Sequence, residues 1–181
     1  MTVVLATKYV SADDMAALAQ AGVEVVGENR AQDLASKHAR YADAFRWHFI
    51  GHLQSRKAKD VSARCELVHS LDSRSAAKRL TTPALVEVNL SGEPTKSGVE
   101  PDALAAFLGD VRDAGVEVRG LMTMPPLADD PEASRPYFRR LRNLAEEHGL
   151  PELSMGTSQD FRVAVEEGAT LVRVGSVLLG R

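Results

Sequence analysis

The chain has 181 residues, of which 44% are hydrophobic and 26% charged, and its formal net charge is −3. This length suits one well-buried domain, and the balanced charge gives no reason to expect nucleic acid or an anionic membrane as the main partner. The single cysteine, Cys65, excludes an internal disulfide framework, and without a signal-peptide pattern or an apolar stretch of the ~20 residues that a membrane span needs, we expect a cytoplasmic protein.

Short apolar runs alternate with longer helical patterns along the chain. The first run covers residues 3–7, and a helical stretch follows from Ser11, an N-cap residue type with acidic residues behind it. The second run covers residues 23–26 and precedes the helix-forming segment GENRAQDLASKHARYA. The remaining apolar runs stand at residues 47–50, 67–70, 84–90, 116–122, 151–156 and 170–176.

Each apolar run except the last precedes a helical pattern. An example is PDALAAFLGDVRDAG, which has proline near its start and glycine at its end. Regular alternation of eight such units predicts an α/β protein with a single-domain (β/α)8 TIM barrel spanning residues 1–181. A doubly wound open sheet is the alternative that periodicity alone leaves open. Because such barrels usually contain about 200 residues or more, the loops here must be very short.

Residues that follow the strands of a βα barrel are the candidates for function. The segments GTSQD (156–160) and VGS (174–176), after the seventh and eighth apolar runs, each place glycine beside hydroxyl residues. Small residues let backbone N–H groups approach an anion, and hydroxyl groups add further donors. Either loop alone is explained better by turns and helix caps. Both together predict a phosphate site.

Lys8 closes the first apolar run, where an ammonium group is costly to bury unless it is paired, neutralised or used. It either extends its amine to water at the barrel mouth or forms a Schiff base with a carbonyl compound. Beside a phosphate site, the second alternative predicts a phosphorylated aldehyde, which is a sugar phosphate in an aldolase or pyridoxal phosphate. Arg173, on the same strand face as Gly175, would clamp the phosphate, meet a pyridine nitrogen, or pair with Glu87 or Glu28.

Six motifs occur in the order that is typical of one family: ATKYV, VVGENRAQD, WHFIGHLQSRKAK, VEVNLSGEPTKSG, RGLMTM and LSMGTSQDFRVAVEEGATLVRVGS. Nearly end to end, the chain resembles the YggS/PROSC family of pyridoxal-phosphate homeostasis proteins. This resemblance implies a barrel like the N-terminal domain of alanine racemase and a role in intracellular homeostasis of pyridoxal 5'-phosphate (PLP). The family usually carries about one further helix before the lysine strand, so we expect that helix to be absent here.

The resemblance also implies a role for particular residues. Lys8 corresponds to the lysine that forms the covalent internal aldimine with PLP, and Arg173 to the arginine that faces the pyridine nitrogen. Ser158, Gly175 and Ser176 correspond to the phosphate-binding positions. Four further residues fall in motifs that line the pocket, namely Asn29, Met122, Met155 and Gly156. Thr157 stands where a methionine is common in the family, and we expect this change to be tolerated.

An arginine at the ring nitrogen disfavours its protonation, which weakens PLP as an electron sink. We therefore expect a monomeric carrier that holds PLP and transfers it to PLP-requiring apoenzymes, rather than an enzyme. A PLP-dependent enzyme such as a weak amino-acid racemase is the alternative, and a Schiff-base aldolase is a third hypothesis. His48 and His52 flank Gly51, but without a cysteine or carboxylate cluster they do not predict a metal site.

Overall fold

Eight short parallel strands close into a barrel in the computed structural model, which describes residues 1–93 and 95–178. The strands are β1 (Thr2–Ala6), β2 (Val25–Glu28), β3 (Arg46–Phe49), β4 (Leu67–Leu71), β5 (Ala84–Glu87), β6 (Val118–Met122), β7 (Glu152–Thr157) and β8 (Leu171–Val174). Strand β1 pairs with β2 on one side and with β8 on the other, which closes the ring. The predicted (β/α)8 barrel is thus confirmed, and the open sheet is excluded.

A helix lies in each of the seven connections between consecutive strands. The helices are α1 (Met15–Gln20), α2 (Ala31–Tyr41), α3 (Ala58–Ser62), α4 (Arg74–Ala77), α5 (Leu104–Asp113), α6 (Arg135–Glu147) and α7 (Phe161–Glu166). Their apolar residues recur at helical spacing, and in α5 the buried face consists of Leu104, Phe107, Leu108 and Val111. That face covers the outside of the strands.

The start predicted for the first helix is wrong by four residues. Helix α1 begins at Met15, after a turn that contains Ala12, Asp13 and Asp14. The Ser11 hydroxyl accepts a hydrogen bond from the Asp14 N–H at 3.2 Å and donates one to the Asp14 carboxylate at 2.7 Å. Ser11 therefore stabilises the turn that precedes the helix instead of capping the helix itself.

The hydrophobic core has two layers because successive strand residues face opposite sides of the sheet. The inner layer fills the barrel and consists of Val4, Val25, Leu67, Leu85, Met122 and Leu171. The outer layer lies between the strands and the helices and includes Val26, Phe49, Val86, Val172 and Phe138. Side chains two positions beyond the inner layer, such as Arg173 beyond Leu171, therefore face the barrel interior near its mouth.

Helix length also bears on a possible membrane location. Among residues 1–93 and 95–178, none of the helices has the length and apolar character that crossing a bilayer requires.

Candidate functional site

The carboxyl ends of all eight strands meet at one rim because the strands are parallel. Lys8 follows β1, Asn29 follows β2, Ser158 follows β7, and Gly175 with Ser176 follows β8. These four strands are consecutive neighbours in the barrel, in the order β7, β8, β1, β2. The fold therefore brings the predicted residues to one half of the barrel mouth.

Arg173 is buried inside the barrel below this half of the mouth, with 6% of its surface exposed. Its guanidinium donates hydrogen bonds to the carbonyl and hydroxyl of Ser154 at 2.9 and 2.5 Å, to the carbonyl of Thr123 at 3.0 Å, and to the sulfur of Met124 at 2.8 Å. These partners within the described part of the chain are all neutral.

The charge of Arg173 is shaped by this burial. Burial lowers the pKa of Arg173 to about 10, and the charges of Glu87 and Asp160 oppose that shift. The side chain is therefore still a cation at neutral pH. The ion pair with Glu28 or Glu87 that the sequence left open does not form, since Glu28 binds Lys37 and Arg173 binds neutral groups. A buried cation with neutral partners favours a ligand that brings an acceptor or a negative charge.

The loops after β7 and β8 are joined by the hydroxyl of Ser158. It accepts hydrogen bonds from the backbone N–H of Gly175 at 3.1 Å and from that of Val177 at 3.4 Å. Two backbone donors and one hydroxyl group thus converge at the place where the sequence predicts a phosphate. Such convergent N–H groups form an anion-binding concavity.

Two glycines keep these loops close to the barrel. Gly156 has a φ of +92°, and a Cβ added there would lie 2.6 Å from the Cβ of Ala164. A Cβ added at Gly175 would lie 3.1 Å from the carbonyl oxygen of Ala6. Gly156 therefore supports the loop through its backbone conformation and its contact with α7, while Gly175 allows the last loop to approach β1.

Lys8 lies just beyond the first strand, close to the strand end at which the sequence placed it. Strand β1 ends at Ala6, and Lys8 stands in the following turn with an exposed side chain. Its Nζ lies 4.7 Å from the centre of the Tyr9 ring, which is a cation–π contact. The amine thus reaches solvent, as one of the two alternatives for Lys8 predicts, while the strand ends one residue earlier than predicted and Thr7 occupies the last buried position. The amine at the mouth is accessible to a ligand.

Thr7, directly before Lys8, is fixed by a buried ion pair that the sequence reasoning missed. Lys37 of α2 donates hydrogen bonds to the carboxylate of Glu28 at 2.5 Å and to the carbonyl of Thr7 at 2.8 Å. The Thr7 hydroxyl donates to the same carboxylate at 2.6 Å, and the Thr7 N–H donates to the carbonyl of Gly27. This network holds the backbone that carries Lys8. The signal for it was Glu28 at a strand end followed by a lysine on the buried face of the next helix.

The other three predicted pocket residues differ in their placement. Asn29 is partly buried, and its Oδ1 is buried without a hydrogen-bond partner among the described residues. Met122 belongs to the inner layer beneath the mouth and is 2% exposed. Met155 has no exposed surface and packs in the outer layer, so it supports the barrel wall and its side chain does not line an open pocket.

A cavity of about 470 Å³ lies at the rim beside β2 and β3, and Asn29 contributes to its wall. Its remaining lining includes four basic side chains, Arg30, His52, Arg56 and Lys57. This cavity adjoins the predicted site at Asn29 but does not contain Arg173, Ser158 or Gly175. We assign the candidate site from the converging polar groups and not from the size of this cavity.

The residues at the mouth fit PLP on four points. The Arg173 guanidinium suits an acceptor such as a pyridine nitrogen, and the Oδ1 of Asn29 has no hydrogen-bond partner among residues 1–93 and 95–178. The N–H groups of Gly175 and Val177 converge on the Ser158 hydroxyl, at the place where a phosphate would bind, while the Lys8 amine is exposed on the same rim. Ser176 is exposed in the turn after Gly175, where its hydroxyl is accessible.

Comparison with known proteins gives consistent results. The family model described as "Alanine racemase, N-terminal domain" matches residues 1–181. The "Pyridoxal phosphate homeostasis protein" of Aquifex aeolicus is 45% identical over 176 residues, which covers 88% of this chain and 77% of the relative. The structure of PipY from Synechococcus elongatus with PLP bound has a TM-score of 0.90 and 32% identity, covering 98% of this chain and 92% of that protein. Alanine racemase of Clostridium difficile, at 11% identity and a TM-score of 0.78, shares the fold; the match covers 98% of this chain and 52% of the racemase.

Proposed function

Since the chain belongs to the alanine racemase N-terminal-domain family and, within it, to the pyridoxal phosphate homeostasis proteins, we propose that it binds PLP in intracellular PLP homeostasis. In this proposal the protein holds the cofactor covalently through Lys8 and buffers or transfers it. The observation that carries the proposal is the buried Arg173 cation on β8, the strand that lies between β7, which Ser158 follows, and β1, which the exposed Lys8 follows.

Each residue at the mouth has a task in this proposal. The Lys8 amine condenses with the aldehyde of PLP, forming a carbon–nitrogen double bond and releasing one water. Ser158, Gly175 and Ser176 bind the phosphate, and Arg173 donates a hydrogen bond to the ring nitrogen. Because Lys8 is exposed, water or an incoming amine can reverse the bond and return the aldehyde to solution or to an acceptor protein.

The carrier role is favoured over catalysis by the charge at Arg173. When bound to an enzyme, PLP supplies an electron sink for carbanions, and protonation of its ring nitrogen strengthens that sink. A guanidinium facing the nitrogen is a donor and a cation, so it disfavours that protonation. The same residue still holds the ring in place. We therefore propose binding and transfer without turnover of amino acids.

The test is covalent trapping of the cofactor. Cofactor-free protein is mixed with PLP, the visible absorbance is recorded, and the complex is reduced with borohydride and mapped by mass spectrometry. We expect the reduced adduct on the peptide that contains Lys8. The Lys8→Ala variant is expected to lose both the band and the adduct, while Lys78→Ala, at an exposed lysine just after α4, is expected to keep both.

Two results would contradict the proposal. If Lys8→Ala gives the same adduct yield as wild type, Lys8 is a rim residue without this role. If the loaded protein interconverts amino-acid enantiomers with multiple turnovers, the protein is an enzyme and the carrier role is wrong. The monomeric state, the cytoplasmic location and the apoenzyme partners stay predictions from the sequence.

A further inference from the structure

A continuous chain of hydrogen bonds crosses the barrel interior from Arg173 to the opposite end of the barrel. Arg173 on β8 donates to the Ser154 hydroxyl on β7, which lies 2.7 Å from Nδ1 of His69 on β4. The Nε2 of His69 lies 2.9 Å from Nδ1 of His48 on β3. The Nε2 of His48 lies 3.1 Å from the carboxylate of Glu66, just before β4.

The groups at the two ends of this row, a guanidinium and a carboxylate, fix which partner donates in every hydrogen bond between them. A guanidinium can only donate, so the Ser154 oxygen accepts from Arg173 and its hydrogen is directed to His69. His69 then accepts at Nδ1 and carries its proton on Nε2, from which it donates to His48. His48 likewise accepts at Nδ1 and donates from Nε2 to Glu66, which as a carboxylate can only accept. Each hydrogen bond thus fixes the tautomer required by the next.

Burial supports this assignment of neutral imidazoles. His69 and Ser154 have no exposed surface, and His48 is 2% exposed. Burial lowers the pKa of His69 well below its usual value, and the charges of His48, Arg173 and Arg119 act in the same direction. Burial also lowers the pKa of His48, against the opposing effect of Glu66, while Arg46 and Arg119 add to the lowering.

The end of this hydrogen-bond row at Glu66 is accessible to solvent. Glu66 is partly exposed and borders a cavity of about 200 Å³ at the barrel floor, together with Arg46, Arg119 and Glu152. The near end lies at the proposed cofactor site. The two ends of the barrel are thereby joined by one row of polar groups that passes among the apolar side chains of the inner layer.

We propose that Ser154, His69, His48 and Glu66 form a one-directional relay that positions the Arg173 guanidinium and couples the barrel floor to the cofactor site. The relay rests on the proposed function only for its effect on PLP, since its direction is a property of the protein alone. These four are positioning residues, because they act on the cofactor through Arg173.

The direction of the relay is measured in the cofactor-free protein. With 15N-labelled histidine, the nitrogen chemical shifts of each imidazole distinguish a protonated from an unprotonated nitrogen. We expect His48 and His69 both to be neutral and protonated on Nε2 at neutral pH. A proton on Nδ1 of either ring, or a doubly protonated ring, would overturn the relay.

Charge reversal at the far end tests the coupling. Glu66→Lys replaces an acceptor by a donor, so His48 and then His69 must move their protons to Nδ1, and Ser154 must accept from both His69 and Arg173. We expect both tautomers to reverse. Because the Ser154 oxygen is then shared between two donors, it holds the guanidinium less tightly, and we expect the affinity for PLP to fall by up to about tenfold, the value of the whole charge-assisted hydrogen bond. The Glu66→Gln variant retains an acceptor oxygen, so we expect His48 and His69 to keep their wild-type tautomers in it.

The control for net charge is Glu24→Lys, at an exposed glutamate directly before β2. It is expected to leave both imidazoles and the PLP affinity as in wild type. If Glu66→Lys leaves the His69 tautomer unchanged, no relay exists. If the tautomers reverse without any change in PLP affinity, the positioning role is wrong. Should wild type take up no PLP at Lys8, the proposed function fails, while the histidine signals still decide the direction of the relay.

Discussion

Replacing Glu87 by glutamine is expected to remove a pH-dependent loss of stability from the cofactor-free protein. Glu87 ends β5 and is two residues beyond Leu85 of the inner layer, so it faces the barrel interior. Burial, aided by the charge of Asp72 and opposed by that of Arg173, raises the pKa of Glu87 from 4.5 to about 7. The folded state therefore favours the neutral carboxyl group.

The sign and size of the effect follow from this shift. Because the folded-state pKa lies above the unfolded one, the contribution of Glu87 to stability is fully present below pH 4.5 and falls as the pH rises to 7. A difference of about 2.5 pKa units corresponds to about 3 kcal/mol in the free energy of unfolding. About 2.5 kcal/mol of this decrease in the free energy of unfolding occurs between pH 5 and pH 8.

The assay is urea unfolding of wild type and Glu87→Gln, followed by circular dichroism at pH 5 and pH 8 at constant ionic strength. The difference in unfolding free energy is expected to move in favour of the variant by about 2.5 kcal/mol between the two pH values. Glu147→Gln, at an exposed position of α6, serves as the control and should follow wild type. Parallel pH profiles for wild type and Glu87→Gln would refute the reasoning.

Three further predictions concern the support around the site. Lys37→Met leaves the Glu28 carboxylate buried without its cation, so the free energy of unfolding, measured in urea, should fall by about 3–5 kcal/mol. Adding Glu28→Gln should restore part of this free energy. A double variant without any recovery would argue against the Lys37–Glu28 ion pair. Gly156→Ala places a Cβ on a backbone with a φ of +92° and against Ala164, so the free energy of unfolding should fall by at least about 1–3 kcal/mol. The melting temperature should fall as well, and an unchanged melting temperature would contradict the contact. Burial raises the pKa of the Cys65 thiol to about 12, so a disulfide reagent at pH 8 should label it in urea but not in the folded protein, and rapid labelling of the folded protein would contradict this.

The eight strands and seven helices could be predicted from periodicity, because each strand buries a short apolar run and each longer helix an apolar face. The positions of Ser158, Gly175 and Arg173 could be predicted too. Parallel strands carry their ends to one rim, and a residue two positions from Gly175 shares its face. These are local or topological rules, and they hold without knowledge of which side chains touch.

The exact end of β1 before Lys8 and the hydrogen-bonded row from Arg173 to Glu66 could not be predicted in this way. Whether β1 ends at Ala6 or one residue later depends on the buried network at Thr7, which involves a helix thirty positions further along. The contact of His69 with Ser154 spans 85 positions and depends on how far adjacent strands are staggered around the closed barrel. Alternation shows that both side chains face inward, but not that they meet.

The pairing of β1 with β8 has a consequence for when the site comes into existence. Val4 on the first strand lies opposite Arg173 on the last, so the half of the mouth that holds Lys8, Ser158 and Gly175 is assembled from the most distant parts of the sequence. Among the strand pairs of the barrel, pairing β1 with β8 closes the longest loop and therefore has the largest cost in loop-closure entropy. A ligand that recognises only the closed ring adds its binding free energy to this step. During synthesis, the cofactor is therefore expected to bind only after the ribosome has released enough of the chain for β8 to pair with β1.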